Sequence, residues 1–481
     1  MVENAEPASG PSLRISSAYE KPGFTLTAIV SLALGIGATT AVFSVVYAIL
    51  LDPYPYAEPD RMVHFVARTK TVADWWIEFT GPQFQKLRES ALIEDMAAFQ
   101  GESTTTTGGD LPEDLHATLF TGNAFNFFGV RPLLGRGLQP SDAPEGADPE
   151  PVAVLGYKYW QRAYNGERDV VGKTIQLAHK TYTIVGVAQP RFTWNDGDVY
   201  LPMKLSTDPS KTIAIITRLK PGVTHAAIDA QLQPVFAEFA KETPTLFPTE
   251  DFWVTARGLN EHFVRRLGPT LYLLLGSVAL LLLIGCGNVS ILLLARGTAR
   301  EHEFAVRAAV GAGRTRLVRQ LLTESLVLSL SGAALRILVA YRAVTIIASM
   351  LPESSFPHEA AIRINLPVLW FSVALVIFTG IIFGLSPALQ FSRPEVSQMM
   401  QSSTRKVLGG VRGKRIHNLL IGGQIALTLV LLTSAGAAIQ GFVKLNHVHL
   451  GYNPHNVMAV RIPLHETATP LGSRARSISR S

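Results

Sequence analysis

The residues best placed to do chemistry are Gly166, Gly172, Lys173 and Thr174, because a glycine turn ending in Gly-Lys-Thr is how a P-loop wraps a nucleotide phosphate. The motif G-x-x-x-x-G-K-[ST] fixes the glycine spacing so that successive N–H groups face the phosphates. Here one extra residue intervenes, and Glu167 stands where the first glycine belongs. The stretch reads as a turn ahead of a hairpin. His116, His179 and His225 are scattered singly and form no ligand set. The single cysteine, Cys286, lies inside an apolar run, which rules out a disulfide framework and a thiolate metal cage. No nucleophile elbow or zinc-ligand spacing occurs. The expectation is a non-catalytic protein with no ATPase motif, cofactor or metal of its own.

The elements that carry these residues explain the composition. Hydrophobic residues make up 47 % of the 481 and charged residues 17 %, with a mean hydropathy of +0.23. The apolar residues are gathered into a few runs. A helix needs about 20 apolar residues to cross a bilayer, and Phe24–Leu51, Leu267–Ala295, Ile364–Ser392 and Asn418–Val443 exceed that without a charge. Ser325–Leu351 qualifies by length but contains Arg336 and Arg342. Arg336 falls near its middle, too deep to reach water easily, and no other span offers a carboxylate. It reads as a liability rather than a site.

Orientation follows from the loops. Arg296, Arg300, Arg307, Arg314, Arg316 and Arg319 lie between the second and third spans, and Arg393, Arg405, Lys406, Arg412, Lys414 and Arg415 between the fourth and fifth. Both loops then face the cytoplasm, with the N-terminus inside and Asp52–Arg266 outside. Topology accounts for the basic pI near 9.3 without nucleic acid. A cleaved signal peptide fits poorly, because the first apolar run is long and its leader mixes acidic with basic residues.

The large outer segment reads as mixed α and β. Met62–Ala67, Val152–Leu155 and Ile213–Leu219 are strand runs, and Thr174–Ala178 with Thr181–Val187 forms a hairpin across His179–Lys180. Thr224 caps a helix with Ile228, Leu232, Val235, Phe236 and Phe239 on one face, and Phe252–Ala256 returns as a strand. Ser103–Gly109 and Pro140–Pro151 read as loops.

Several ordered motifs resemble the FtsX/MacB-type ABC permeases, and most closely the duplicated permeases of acidobacteria. They are Lys21-Pro22-Gly23-Phe24-Thr25 leading into Leu32–Val46, then Tyr54-Pro55-Tyr56 and Glu58-Pro59-Asp60-Arg61. Phe127–Arg136, Trp160-Gln161-Arg162, Val171–Thr174 and Tyr182–Val187 follow, then Leu293–Ala312 and Gln320–Ser325. The resemblance implies an integral membrane α-helical bundle of FtsX type plus an α+β extracytoplasmic domain of the MacB periplasmic-core type. The expected organisation is a cytoplasmic segment 1–23, a first span 24–51, the outer domain 52–266, and a membrane domain 267–392 with a coupling loop 296–324. A basic linker 393–417, a fifth span 418–443 opening a second repeat, and a shortened second outer segment with tail at 444–481 complete it. The family usually has a small residue where Arg336 stands.

The resemblance also implies a separate cytoplasmic ABC ATPase that carries the ATP, a second permease copy, and a membrane-fusion or periplasmic partner, in a bacterial inner membrane. The role implied is to pass ATPase motion to the outer domain for efflux or cargo release. Within the coupling loop, Glu303 and Arg307 form an i,i+4 pair beside a face holding Phe304 and Ala312, with Val306 and Gly311 in the same stretch. The resemblance makes this the helix that docks on the ATPase; the flanking arginines would also suit a helix lying on anionic lipid. Gly380 and Gly384 form a small-xxx-small pair that lets helices approach closely, in the bundle or between copies. Two other readings stay open: a membrane-anchored sensor or adaptor without an ATPase, and a non-functional shortened permease copy.

Overall fold

A computed structural model describes residues 22–71, 74–107, 112–144, 146–248, 251–299, 332–350, 356–391 and 411–447, with Val306, Arg319, Thr323 and Leu330. The chain forms two units. One, the helical unit, draws on Met1–Leu51, Leu267–Pro352 and Ile362–His449. The other, the sheet unit, draws on Asp52–Arg266, Glu353–Ala361 and Leu450–Ser481.

In chain order, α1 (Pro22–Val46) ends in a π-helical turn, Tyr47–Leu51. The sheet unit then runs β1 (Met62–Arg68), β2 (Trp75–Trp76), α2 (Gly81–Arg88), β3 (Ile93–Thr105), β4 (Asp114–Phe120), α3 (Ala124–Phe128) and β5 (Leu134–Gly135). It continues with β6 (Val152–Leu155), α4 (Tyr157–Ala163), β7 (Thr174–Leu177), β8 (Lys180–Val187), β9 (Val199–Pro202), β10 (Ala214–Leu219), α5 (His225–Glu242) and β11 (Trp253–Gly258). The helical unit resumes with α6 (Glu261–Ala299), α7 (Ala333–Met350), α8 (Leu366–Phe391) and α9 (Val411–Asn446). Among the described residues, α1, α6 and α9 hold stretches long and apolar enough to cross a membrane, and Leu366–Ile381 is a shorter apolar stretch of α8.

One mixed sheet runs β11-β1-β10-β3-β4-β9-β6-β8-β5, with β2 on β1 and β7 on β8. The β4–β9 and β6–β8 pairs are parallel and the rest antiparallel. Alternation along the strands feeds separate cores. Val63, Phe65 and Ala67 of β1 face α5, whose Ile228, Leu232, Phe236 and Phe239 are buried on one stripe, as the periodicity predicts. Thr224 caps that helix, its side chain accepting from the Ala227 N–H at 3.3 Å. A second, aromatic core gathers Tyr54, Tyr56, Phe99, Phe120, Phe127, Phe128, Phe192, Trp194 and Tyr200.

Two local expectations change, and the Gly172 turn is as expected. Strand β3 runs on through Ser103–Thr105, which read as loop, because those residues pair with His116, Leu115 and Asp114 of β4. The β7–β8 hairpin turns at Ala178 and His179, both with positive φ (46° and 67°), which moves Lys180 into the strand. The Gly172 turn adopts φ 91° and donates its N–H to Ile184 O at 2.8 Å. Lys173 Nζ lies 3.3 Å from Glu167 and 3.2 Å from Asp169, so its cation is already held by carboxylates. That is the opposite of a phosphate cradle.

Candidate functional site

Within the helical unit, α1 is the packing centre. Of its apolar stretch 67 % is buried, against 17 % for that of α6. Small residues allow this. A Cβ on Gly35 would come within 3.0 Å of Leu282 in α6, and one on Gly37 within 2.7 Å of Val339 in α7. Thr39 donates to Gly35 O at 2.8 Å, satisfying its hydroxyl inside an apolar seam with Leu32, Ile36, Leu282, Cys286 and Val376. Phe43 stacks on Phe371 of α8 at 3.8 Å, and Ser44 donates to Arg363 O at 2.9 Å. Gln424 of α9 donates to Asn288 of α6 at 2.6 Å. Arg336 is 3 % exposed, and none of its three guanidinium nitrogens meets a hydrogen-bond partner among the described residues.

Within the sheet unit, a polar cluster holds the segment 356–361. Tyr56 Oη donates to Glu359 Oε1 at 2.6 Å, and Tyr54 Oη to Leu259 O at 3.1 Å. Arg191 donates from Nε to Glu359 O at 3.1 Å and from a terminal nitrogen to Asp52 O at 2.8 Å. His358 Nδ1 lies 2.9 Å from Asp196 Oδ1. The tyrosines are fixed by their rings: Tyr54 and Tyr56 stack at 5.4 Å, and Tyr56 packs on Phe128 at 4.7 Å. Burial, and secondarily the nearby Glu359 charge, drives the Tyr56 hydroxyl far above its usual range, so it is a permanent donor. Burial likewise raises the Glu359 carboxyl, against the opposing hydrogen bond from Tyr56.

The Phe127–Arg136 stretch supports this cluster. Gly129 ends α3 at φ 65°, where a Cβ would come within 2.5 Å of Ala57 Cβ. Arg136 clasps Asp142 through two bonds, at 2.6 and 2.8 Å. Elsewhere a recess of about 1700 Å³ is bordered by Arg88, Glu102, Glu150, Lys180, Lys204 and Lys211, with Lys204 bound to Asp148 at 3.0 Å. Among the described residues there is no group of three or more His, Cys, Asp or Glu able to hold a metal ion. His116 in β4, His179 in a turn and His225 at the start of α5 stay apart.

Of the residues expected to carry function, Glu303, Phe304, Arg307, Gly311 and Ala312 lie outside the described residues. Val306 is helical and half exposed. Gly380 is buried on α8; Gly384 lies in the same helix, and its surroundings are outside the described residues. Among the glycines whose close contacts are described, Gly35 and Gly37 lie on α1. Their signal was the Gly-Ile-Gly inside the first-span motif. Glu359 and His358 had no local signal beyond a charge in a loop.

A sheet unit is inserted in sequence between two apolar helices, α1 and α6, and further helices follow it. The MacB-like periplasmic core domain family matches residues 25–235, and the FtsX-like permease C-terminal family matches residues 275–396. This chain belongs to the FtsX/MacB-type ABC transporter permeases. Permeases of this type are inner-membrane proteins. The pyoverdine export ATP-binding/permease protein PvdT of Pseudomonas syringae pv. syringae (strain B728a) is 28 % identical over 256 residues, or 50 % of this chain and 36 % of that one. The macrolide export ATP-binding/permease protein MacB of Neisseria gonorrhoeae (strain ATCC 700825 / FA 1090) is 26 % identical over 300 residues, 59 % of this chain and 44 % of that one. The chain therefore spans less than half the length of either relative. The periplasmic region of MacB from Actinobacillus actinomycetemcomitans resembles it at a TM-score of 0.34 and 13 % identity, over 47 % of this chain and 97 % of that one. That likeness is too loose to bear on function.

Proposed function

We propose that this chain passes the motion of a separate cytoplasmic ABC ATPase to its sheet unit, which lies outside the inner membrane and drives efflux or cargo release. One observation carries the reading. The sheet unit interrupts the helical unit in sequence, so α1 enters it and α6 leaves it without any long linker: α1's terminal turn ends at Leu51 and β11 at Gly258, three residues before α6 begins at Glu261. Helices joined this directly to a packed sheet transmit rigid-body movement. The relatives' names, for pyoverdine and macrolide export, support export as the outcome.

In this reading ATP is bound by the ATPase subunit, and this chain binds no cofactor. Two permease copies act together, with a membrane-fusion or periplasmic protein as a further partner. The N-terminus is cytoplasmic, so a reporter near Ser141 should read outside and one near Arg314 inside; the same side for both would overturn the orientation. Glu303–Ala312 docks on the ATPase. Arg307→Glu should then weaken co-purification of the cognate ATPase while membrane insertion stays normal. Undiminished association would assign that segment to the lipid surface instead.

A further inference from the structure

Residues 356–361 join α7 to α8 in the chain, yet they belong to the sheet unit. Two neighbouring side chains and one backbone carbonyl hold them there: His358 on Asp196, Glu359 on Tyr56, and Glu359 O on Arg191. The Ala360 N–H closes back on Pro357 O at 2.9 Å, so the segment is a single tight turn. Glu359 and Ala360 are 6 % and 8 % exposed. We propose that this turn is an acid-tightened latch, whose grip on the sheet unit strengthens as the surrounding medium acidifies and weakens as it becomes alkaline.

The charged and titratable surroundings all bear on the sign. His358 faces Asp196, with Glu359 and Lys158 nearby. Glu359 faces Tyr56, with His358 and Asp196 next and Tyr54 and Tyr200 behind. Arg191 and Asp52 stand at its backbone, and His116 and Lys158 act on Asp196. Burial raises the Glu359 carboxyl, and the Asp196 hydrogen bond raises the His358 imidazole. Each group therefore binds its proton more tightly docked than free. The His358 contribution is complete below the ordinary imidazole range and is lost as pH rises through the raised value. Glu359 disfavours docking once it ionises, so it acts in the same direction from the ordinary carboxyl range upward. Burial pushes Asp196 up, but the His358 hydrogen bond and charge take it below its usual range, so it stays ionised throughout.

The latch rests on the proposed function only in its consequence. Closed, it ties the α7–α8 connection to the sheet unit, so a stroke is not carried by α1 and α6 alone. Its test needs no ATPase. Ala360→Cys in a Cys286→Ser background, in the full chain in lipid nanodiscs, is labelled with maleimide at about pH 6 and about pH 8, each rate normalised to exposed Ser141→Cys. Normalised labelling should rise at least about threefold between the two. Adding His358→Gln with Glu359→Gln should flatten the rise. A parent rate that does not change with pH, or a rise that survives the double replacement, would overturn the latch. Hydrogen exchange of the unaltered chain tests the latch without a cysteine: after correction for intrinsic rates, amides 358–361 should be better protected at acid pH, and equal protection refutes it. Failure here leaves ATPase coupling standing, and failed ATPase association leaves the latch standing.

Discussion

The two units are packed by opposite means. The sheet unit fills its interior with large rings: Phe79, Phe120, Phe127, Phe128, Phe192, Tyr200, Phe236 and Phe239 are all fully buried. Around α1 the helical unit relies on absence of bulk, with Gly35 and Gly37 against Leu282 and Val339, and Ala28, Ala33 and Ala41 buried nearby. Interlocked aromatic rings resist any partial displacement, because an ångström of misfit forfeits much of the contact energy. Smooth glycine and alanine surfaces let helices approach closely and shift past each other at less cost. The sheet unit is held by interlocked rings, and the helices around α1 by the close approach of small residues.

The sharpest way to break that contrast is to hollow the aromatic core. Phe128 touches Tyr56, Phe120, Phe127, Phe192 and Trp194, so Phe128→Ala should cost about 3–5 kcal/mol. Loss of near-ultraviolet circular dichroism from the sheet unit, with the helical signal retained, would show it. A near-native melting temperature would mean the core is not the rigid body described.

Arg336 sharpens the other side. An arginine at a helix centre costs roughly 2.5–3.5 kcal/mol on insertion scales; Arg336 lies instead in the first turn of α7, where it is buried with its guanidinium unpaired among the described residues. Arg336→Gly should raise the yield of folded, membrane-inserted protein without loss of activity; unchanged yield with lost coupling would give the arginine a role. A smaller effect is expected at Gly37, where Gly37→Leu overpacks the Val339 contact at about 1–3 kcal/mol. Reduced coupling with insertion retained is the expected result, read as the ATP hydrolysis stimulated by the permease.

Much of the sheet unit was legible in the sequence because alternation and turn residues are local signals. The strand from Met62, the α5 stripe and its Thr224 cap appear where the pattern put them, each within a residue or two at its ends. Ser103–Thr105 did not, because threonine-rich polar sequence looks like a loop until a partner strand claims it. The anchor was harder still. Tyr56 and Glu359 are separated by 303 positions, and only the folded sheet unit brings them within hydrogen-bonding distance. Tyr54-Pro55-Tyr56 was visible as a motif, but nothing local says that its second ring holds a carboxylate from a loop between two later helices. Gly380 and Gly384 matched a packing pattern that is common in apolar helices; close approach is seen at Gly35 and Gly37, among other glycines.

ATP at the cytoplasmic ATPase should move the sheet unit as a body, and this is the central claim. Spin labels on Ser141→Cys, an exposed position of the sheet unit, report this directly when two copies are assembled with the cognate ATPase in nanodiscs. The distance between the two labels should shift to a new, narrow distribution on adding ATP. A hydrolysis-deficient ATPase should hold it there. The same distribution with ATP, with ADP and without nucleotide would contradict the claim.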